Sequence, residues 1–504
     1  MTAGGTVDEP TELAGDSGVV DTGGGLWSRQ RRALTTGLVL TITFIASEAL
    51  AVITIMPVVA KDLRGLSLYG WVFSAFMLGN VLGIVTAGRQ ADRYGPARPF
   101  IGGLALFCAG LGVAGAAPTM LVLIVGRALQ GIGAGAVPAI AYVAIGRSLP
   151  ENLRPRMMAV LSTAWVLPGM VGPAISAAVA SLFGWRVVFL GLIPLVVVTG
   201  ALALPGLFRL GKAPADDASS PRAPTTRPAS QHRFADGVAA AAGATLTLAG
   251  LTRVAGTGQV FVGLGLLAVG IAAMAVALRR LLPAGTFSAR RGLPDVILCR
   301  GLLTFTFFGA DAYVTLTITT IRGHSPALAG LAVTGATLAW TAGAWVQARL
   351  NSRVEARRLI GSGLIVIVVG LAAMALVLVP AVPVYTGLAA WTLAGLGMGL
   401  AYAPISLLML REAPEGREGW ASASLTLADV LGTALGIGVG GAAVAAATAH
   451  GWPLTTGVGA AFSVAGLGGL VLALASRRLP LVHGVSSREI SGSGPARSSG
   501  AAGV

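Results

Sequence analysis

Long apolar runs recur along nearly the whole sequence, and they limit the fold more than any other feature. A helix needs about 20 apolar residues to cross the hydrocarbon core of a bilayer. Fourteen segments meet that requirement, of which the Ala/Thr-rich segment 235–252 is the weakest. They predict helices over 33–60, 69–88, 99–117, 119–146, 157–182, 187–208, 235–252, 258–278, 294–320, 326–348, 359–379, 384–410, 418–448 and 454–476. The sequence therefore predicts an all-α polytopic membrane protein.

Composition and charge placement agree with this interpretation. Charged residues make up 11% of the chain, whereas a soluble domain has about 25%. The net charge of +15 does not indicate a nucleic-acid partner, because the basic residues cluster in alternate loops. With the N-terminus inside, 28 of the 35 Lys and Arg residues lie in cytoplasmic segments and five in external loops. The pattern predicts a bacterial cytoplasmic-membrane protein with both termini in the cytoplasm.

Three polar segments lie outside the predicted helices. Residues 1–32 are acidic at first and carry no basic residue before Arg29, which argues against a cleavable signal peptide. Residues 209–234 are rich in Pro, Ser and Ala, as linkers often are. Residues 479–504 have a similar composition. We expect a disordered N-terminal tail, a cytoplasmic linker and a disordered C-terminal tail.

The two halves of the chain repeat each other. RSLPE (147–151) recurs as REAPE (411–415), and three alternating glycines recur at the same offset. SEALAVITI (47–55) matches ADAYVTLTI (310–318), which places Asp311 opposite Glu48. Such repeats are common in transporters, whose substrate sites lie between the repeated units. The sequence predicts six-helix bundles over 33–208 and 294–478, with two inserted helices over 235–281.

Three motifs carry a resemblance to a known family. They are GRQADRYGPAR (88–98), RALQGIGAG (127–135) and GMVGPAIS (169–176). With fourteen predicted helices and Glu48 nine residues before Pro57, the chain resembles the fourteen-helix drug:proton antiporter family of the major facilitator superfamily over about 33–478. Two positions differ from the family pattern in addition to Trp391, which stands at the repeat position of Arg127. Glu48 stands where the family usually has Asp, and Asn351 replaces the aspartate in the second copy of the first motif.

The first motif resembles the cytoplasmic gate of that superfamily. Its glycines permit a tight turn, and its aspartate can accept hydrogen bonds from nearby arginines or a helix N-terminus. The resemblance implies that this N-terminus is the one near Glu418, so that the contact holds the cytoplasmic side closed. The alternative is a short basic loop that follows the positive-inside rule. The residues concerned are Gly88, Asp92, Arg93, Gly95 and Arg98.

The third motif resembles the Gly-Pro motif of the antiporters in the family. Pro173 removes a helical hydrogen bond and bends the helix, while Gly169 and Gly172 allow close helix packing. The resemblance implies antiport rather than symport. The alternative is that the motif serves helix packing alone.

Four charged residues are expected in the middle third of the bilayer: Glu48, Arg127, Asp311 and Asp429. A charge there is costly and is a functional-site hypothesis by default. Burial favours a neutral acid, whereas a neighbouring arginine favours the charged form. We therefore expect Glu48 and Asp311 to couple protons or substrate, the alternatives being a permanently neutral acid or a static Glu48–Arg127 pair. For Asp429, which has no acidic counterpart in the repeat, the two interpretations stay equally open.

Aromatic residues in the predicted helices offer a cavity for a drug-like molecule. Helix packing and lipid contact are equally good explanations of their positions. The candidates are Trp165, Phe308, Tyr313, Trp340 and Trp391, the last of which takes the repeat position of Arg127.

No cofactor or metal is expected. The four histidines form no ligand set, and neither lysine is followed by Ser or Thr, so no P-loop is present. The expected partners are a small-molecule substrate, protons and the lipid bilayer, and we expect a monomer. The predicted function is proton-coupled export of amphipathic or cationic compounds. Alternatives are a dedicated exporter of a lipid, siderophore or self-made natural product, an uptake symporter, and a membrane enzyme or sensor.

Overall fold

The computed structural model describes residues 26–28, 31–150, 153–210, 227–256, 258–351, 353–415, 417–476 and 479. Fifteen α-helices account for most of these residues. They are α1 Arg32–Asp62, α2 Tyr69–Tyr94, α3 Ala97–Gly115, α4 Met120–Ser148, α5 Arg154–Phe183, α6 Trp185–Leu190, α7 Leu192–Arg209, α8 Arg227–Gly256, α9 Val260–Leu281, α10 Leu293–Leu316, α11 Pro326–Leu350, α12 Ala356–Leu376, α13 Tyr385–Glu412, α14 Glu418–Ala449 and α15 Leu454–Ala475.

These helices form fourteen stretches that are long and apolar enough to cross a membrane, counted over the described residues. The helices α6 and α7 are successive parts of one stretch and are divided at Gly191. Beyond its last α-helical residue, α10 continues as a π-helical turn over Thr317–Ile321. The predicted all-α fold with fourteen membrane-spanning helices is confirmed.

Two helices extend more than three residues beyond their predicted bounds. The first motif is helical through Tyr94, because α2 extends past Gly88, and only Gly95 makes the turn, with a φ of +79° that suits glycine. The end of the predicted linker 209–234 is also helical, since α8 begins at Arg227. Most of that linker and most of the predicted tails, 1–32 and 479–504, lie outside the described residues.

The helices pack as two similar sets joined by a hairpin. In the N-terminal half (α1–α7), α4 packs against α2 and α3, and α1 packs against α5 and α7. In the C-terminal half (α10–α15), α13 packs against α11 and α12, and α10 packs against α14 and α15. The inserted helices α8 and α9 pack against each other, and α8 also contacts α2 and α14. The hairpin therefore lies beside both halves.

The repeated glycines explain why each half packs so closely. On α4, a Cβ at Gly131 or Gly135 would press on the backbone of α2, and one at Gly133 would press on α3. On α13 the equivalent glycines meet α11 and α12 in the same alternation; they are Gly395 and Gly399 against α11, and Gly397 against α12. Small residues let membrane helices approach to backbone contact. Each run thus fixes one helix between two neighbours.

The two halves touch at one end of the molecule. We call it the arginine-poor end, where α1 ends and α2 begins, and the opposite end the arginine-rich end. Among the described residues, three hydrogen bonds from hydroxyl groups to backbone carbonyls cross between the halves near the arginine-poor end. The hydroxyl donors are Tyr69 to Ala312 O at 2.9 Å, Ser74 to Ala434 O at 2.9 Å, and Thr315 to Ile53 O at 2.9 Å.

On α5, the face that contacts the other half becomes more exposed toward the arginine-rich end. Along α5, Gly169 lies against the Thr337 side chain of α11, and Pro173 lies against Gly330. Trp165 is one turn nearer the arginine-rich end on about the same face of α5. Its side chain is 50% exposed, whereas Gly169 and Pro173 are buried. The structure therefore has a conformation closed at the arginine-poor end.

We expect Gly131→Ala to lower the melting temperature of the purified protein. The added Cβ would meet the Phe76 carbonyl of α2, and overpacking of this kind costs about 1–3 kcal/mol. Gly146→Ala on the same helix is the matched control, because no atom lies within 4 Å of its added Cβ. Thermal unfolding in detergent, followed by size-exclusion chromatography, measures both. Equal melting temperatures would contradict the packing role.

Candidate functional site

A buried ion pair joins α1 to α4 in the N-terminal half. The Arg127 guanidinium donates hydrogen bonds to the Glu48 carboxylate and to the Gln130 side-chain oxygen. Both charged side chains are at most 2% exposed. The Arg127 Nε also donates to the Val72 carbonyl of α2 at 3.3 Å, and its guanidinium lies 4.2 Å from the centre of the Phe76 ring. The charge of each partner is thus compensated inside the bundle.

This ion pair leaves some hydrogen-bonding capacity unused. Within the described residues, the second Glu48 oxygen and the Gln130 amide nitrogen have no partner. A buried polar atom without a hydrogen-bond partner costs free energy. A hydrogen-bond donor, such as a polar group of a substrate, would satisfy the Glu48 oxygen. The pair therefore keeps one unused acceptor on Glu48 and one unused donor on Gln130.

The C-terminal half holds an equivalent pair with different chemistry. The Trp391 indole N–H on α13 donates to the Asp311 carboxylate on α10 at 2.8 Å. The repeat aligns Asp311 with Glu48 and Trp391 with Arg127, and the structure brings each aligned couple into contact. An indole is a neutral donor, whereas a guanidinium always carries a charge. Glu48 therefore has a counter-ion in contact, while the indole that binds Asp311 is uncharged.

A third cluster contains Asp429, which sequence reasoning left undecided. The Tyr402 hydroxyl donates to the Asp429 carboxylate at 2.7 Å. The Arg300 guanidinium stacks 3.4 Å from the centre of the Tyr402 ring and donates to Tyr402 O at 3.1 Å and Ser406 Oγ at 2.5 Å. Sequence reasoning gave no role to Arg300, Tyr402 or Ser406. The available signal was Arg300 itself, a cation within an apolar run.

A row of aromatic rings connects the second and third clusters. Phe307 stacks on Trp391 with ring centres 5.0 Å apart and meets Trp340 edge-on at 5.8 Å. Trp340 in turn lies 5.3 Å from Tyr402. The row thus has Asp311 at one end and Asp429 at the other. Phe308 and Trp340 are only partly buried, so this row offers an aromatic surface.

The five predicted cavity residues divide into two groups. Trp165 is half exposed, and Phe308 and Trp340 are partly exposed. Tyr313 and Trp391 are fully buried in this conformation, so neither lines a cavity here. Both side chains can be buried because their polar atoms are hydrogen-bonded. Tyr313 donates to Ile437 O at 2.5 Å, and Trp391 donates to Asp311.

The gate motif lies at the arginine-rich end of α2 and α3. Arg93 and Arg98 are exposed, and their guanidinium groups lie 5.1 and 5.9 Å from the centre of the Tyr94 ring. Glu418 is the first residue of α14 and is exposed. The Asp92 side chain lies outside the described part of the structure. Its contact with the start of α14 stays a prediction.

The antiporter motif lies where α5 meets α11. Gly169 and Pro173 face α11, whereas a Cβ at Gly172 would meet no atom within 4 Å. The motif therefore occupies a contact between the two halves. Its implied role in antiport stays a prediction.

Metal-ligand side chains do not gather in any described part of the chain. No group of three or more His, Cys, Asp or Glu side chains comes together there. The thiols of Cys108 and Cys299 are both free. The chemistry available at the site is therefore that of carboxylates, guanidinium groups and aromatic rings.

The sequence is similar to a known family and to proteins of two bacteria. The sequence model of the Major Facilitator Superfamily matches residues 36–310, more than half of the chain. A probable multidrug-efflux transporter of Mycobacterium tuberculosis is 27% identical over 470 residues, covering 89% of this chain and 96% of that protein. Multidrug resistance protein 3 of Bacillus subtilis is 33% identical over 176 residues, covering 35% of this chain and 34% of that protein.

A solved structure shows the same fold at low sequence identity. The xylose transporter XylE of Escherichia coli superposes with a TM-score of 0.58 over 88% of this chain and 96% of that chain. The two sequences are 13% identical. The similarity therefore concerns the fold alone.

We expect Glu48→Gln to lower the melting temperature more than Asp311→Asn does. The first change leaves the buried Arg127 charge without its partner, at a cost of about 3–5 kcal/mol. The second leaves a neutral indole, so no charge is stranded. Adding Arg127→Gln to Glu48→Gln should recover part of the loss. Thermal unfolding in detergent of the unsubstituted protein, the two single variants and the double variant tests this. A double variant no more stable than Glu48→Gln, or a Glu48→Gln variant as stable as Asp311→Asn, would contradict it.

Proposed function

The chain belongs to the Major Facilitator Superfamily, as a transporter rather than an enzyme, and on that premise we propose that it is a proton-coupled antiporter. It exports amphipathic or cationic small molecules across the cytoplasmic membrane of a bacterium. It works by alternating access, in which the two halves open toward one side of the membrane at a time. It works as a monomer.

The relatives support efflux as the direction of transport. The Mycobacterium tuberculosis protein that aligns with nearly the whole chain is named a probable multidrug-efflux transporter. The Bacillus subtilis relative, which aligns over about a third of the chain, is named a multidrug resistance protein. Aromatic side chains that are partly exposed on α10 and α11 suit a flat, apolar substrate.

The carrying observation for proton coupling is the pair of equivalent buried acids. Glu48 and Asp311 lie on the first helix of their halves, and each accepts a hydrogen bond from the fourth helix of that half. A buried carboxyl group changes its interaction with a cationic substrate when it takes up a proton. A proton that neutralises Glu48 or Asp311 would therefore loosen the substrate, and the next opening of the halves would release it.

The positive-inside rule supports the orientation. It places the arginine-rich end in the cytoplasm, together with both termini. The conformation described above, closed at the arginine-poor end, then faces inward. An exporter collects its substrate from that side. Trp165, Phe308 and Trp340 are the aromatic residues proposed to meet it.

We expect Glu48→Gln and Asp311→Asn each to reduce substrate-driven proton release at least tenfold, because an amide cannot carry the proton. The measurement uses energised inside-out vesicles and a pH-sensitive dye, with lipophilic cations and neutral antibiotics added in turn. Asp236→Asn is the matched control, since Asp236 is a buried acid that pairs with Arg280 on the inserted hairpin, away from both acid sites. We expect it to retain proton release.

Other outcomes of this measurement decide between the alternatives. Undiminished proton release by Glu48→Gln at normal expression would contradict the assignment of the acid. No proton release by the unsubstituted protein with any compound would contradict multidrug export and favour an exporter dedicated to one substrate.

A further inference from the structure

Two hydroxyl groups cross between the halves next to the buried acids. Tyr69, the first residue of α2, donates its hydroxyl to Ala312 O on α10 at 2.9 Å. Thr315 on α10 donates to Ile53 O on α1 at 2.9 Å. The two hydroxyl oxygens are themselves 3.5 Å apart. Three helices are thus tied together at one point, α1 and α2 from one half and α10 from the other.

This point is fully enclosed. Tyr69 and Thr315 are 0% exposed. The Tyr69 ring is surrounded by the rings of Phe73 and Tyr313, at 5.5 and 5.8 Å between centres. Nearby, Gly70 of α2 lies against Gly441 of α14. Water cannot reach this point to replace these hydrogen bonds while the halves are in contact. Removing one donor therefore leaves its buried acceptor without a partner, which destabilises the closed contact.

Two of the three helices that meet here, α1 and α10, carry the acids. Ile53 follows Glu48 by five residues on α1, and Ala312 directly follows Asp311 on α10. Residues three apart on a helix share a face, so Ala312 and Thr315 present the two contacts side by side. A shift of α10 that alters the Asp311 pair must therefore also move both crossing hydrogen bonds.

We propose that Tyr69 and Thr315 form the latch that holds the arginine-poor end closed, and that they are positioning residues for alternating access. The latch consists of the hydrogen bonds from Tyr69 to Ala312 O and from Thr315 to Ile53 O. It opens when the halves separate at that end, and both bonds then exchange to water. Nothing about the latch depends on which substrate is carried.

The chain supplies a matched control for each latch residue. Tyr313 is as buried as Tyr69 and its ring lies beside it, but its hydroxyl donates to Ile437 O within the C-terminal half. Thr317 is as buried as Thr315, but its hydroxyl donates to Tyr313 O on its own helix. Removing either control hydroxyl costs a buried hydrogen bond without cutting a connection between the halves.

A cysteine in the closed contact reports opening. Thr54 is 0% exposed, lies on α1 next to Ile53, and faces Gly330 of α11 in the other half. Thr54→Cys preserves the size of the side chain. In a background lacking Cys108 and Cys299, purified protein in lipid nanodiscs is treated with a polar maleimide, which reaches both faces of the disc. The labelling rate then follows the open fraction when opening is rapid.

We expect Tyr69→Phe, added to the Thr54→Cys reporter, to raise the labelling rate about fivefold, the factor that corresponds to ~1 kcal/mol for one net hydrogen bond. Tyr313→Phe should leave the rate within twofold of the parent. An unchanged rate in Tyr69→Phe would overturn the proposal. So would an equal rise in both variants, since general loosening would then explain it.

Thr315→Val and Thr317→Val repeat the test without changing an aromatic ring. Thr315→Val should raise the rate severalfold and Thr317→Val should not, which keeps the proposal testable if Tyr69→Phe does not fold. A rise in Thr317→Val that equals the rise in Thr315→Val would overturn it. Because the readout is opening and not transport, failure of the latch is distinguishable from failure of proton-coupled export.

Discussion

The cost of placing polar groups in hydrocarbon is the constraint on which the rest of the structure depends. Backbone N–H and C=O groups have no water to bind there, so the spanning segments are helical. The same cost applies with greater force to charged side chains. Glu48 and Arg127 satisfy it together, and Arg300 satisfies it through Tyr402 and Ser406. Each of these charged side chains therefore has specific hydrogen-bond partners inside the bundle.

The two halves share one arrangement of helices but place different donor groups beside their buried acids. The alternating glycines of α4 and α13 bring equivalent helices to the same close contacts, and in each half a side chain of the fourth helix donates a hydrogen bond to the acid on the first. In one half the resulting donor is a guanidinium, and in the other it is an indole. Two acids in equivalent positions therefore experience different electrostatic surroundings.

The hydrogen bonds between the halves lie close to the two acid pairs. The hydroxyl groups of Tyr69 and Thr315 connect α10 to the N-terminal half within one turn of Asp311. The Arg127 Nε binds the Val72 carbonyl on α2, and two residues later Ser74 reaches α14. Each acid pair therefore lies only a few residues along a helix from a hydrogen bond that crosses between the halves at the arginine-poor end.

Apolar length and internal repetition determined a great deal from the sequence alone. Twenty apolar residues can cross a bilayer only as a helix, so the fourteen spans followed directly, apart from boundaries such as the helical end of α2. The repeat offsets also aligned Asp311 with Glu48 and Trp391 with Arg127. The tertiary structure alone decided that Trp391 meets Asp311, that Tyr402 links Arg300 to Asp429, and that Tyr69 crosses between the halves. These contacts depend on the rotation of each helix about its axis and on which end of the halves is closed, and no local pattern of residues specifies either one.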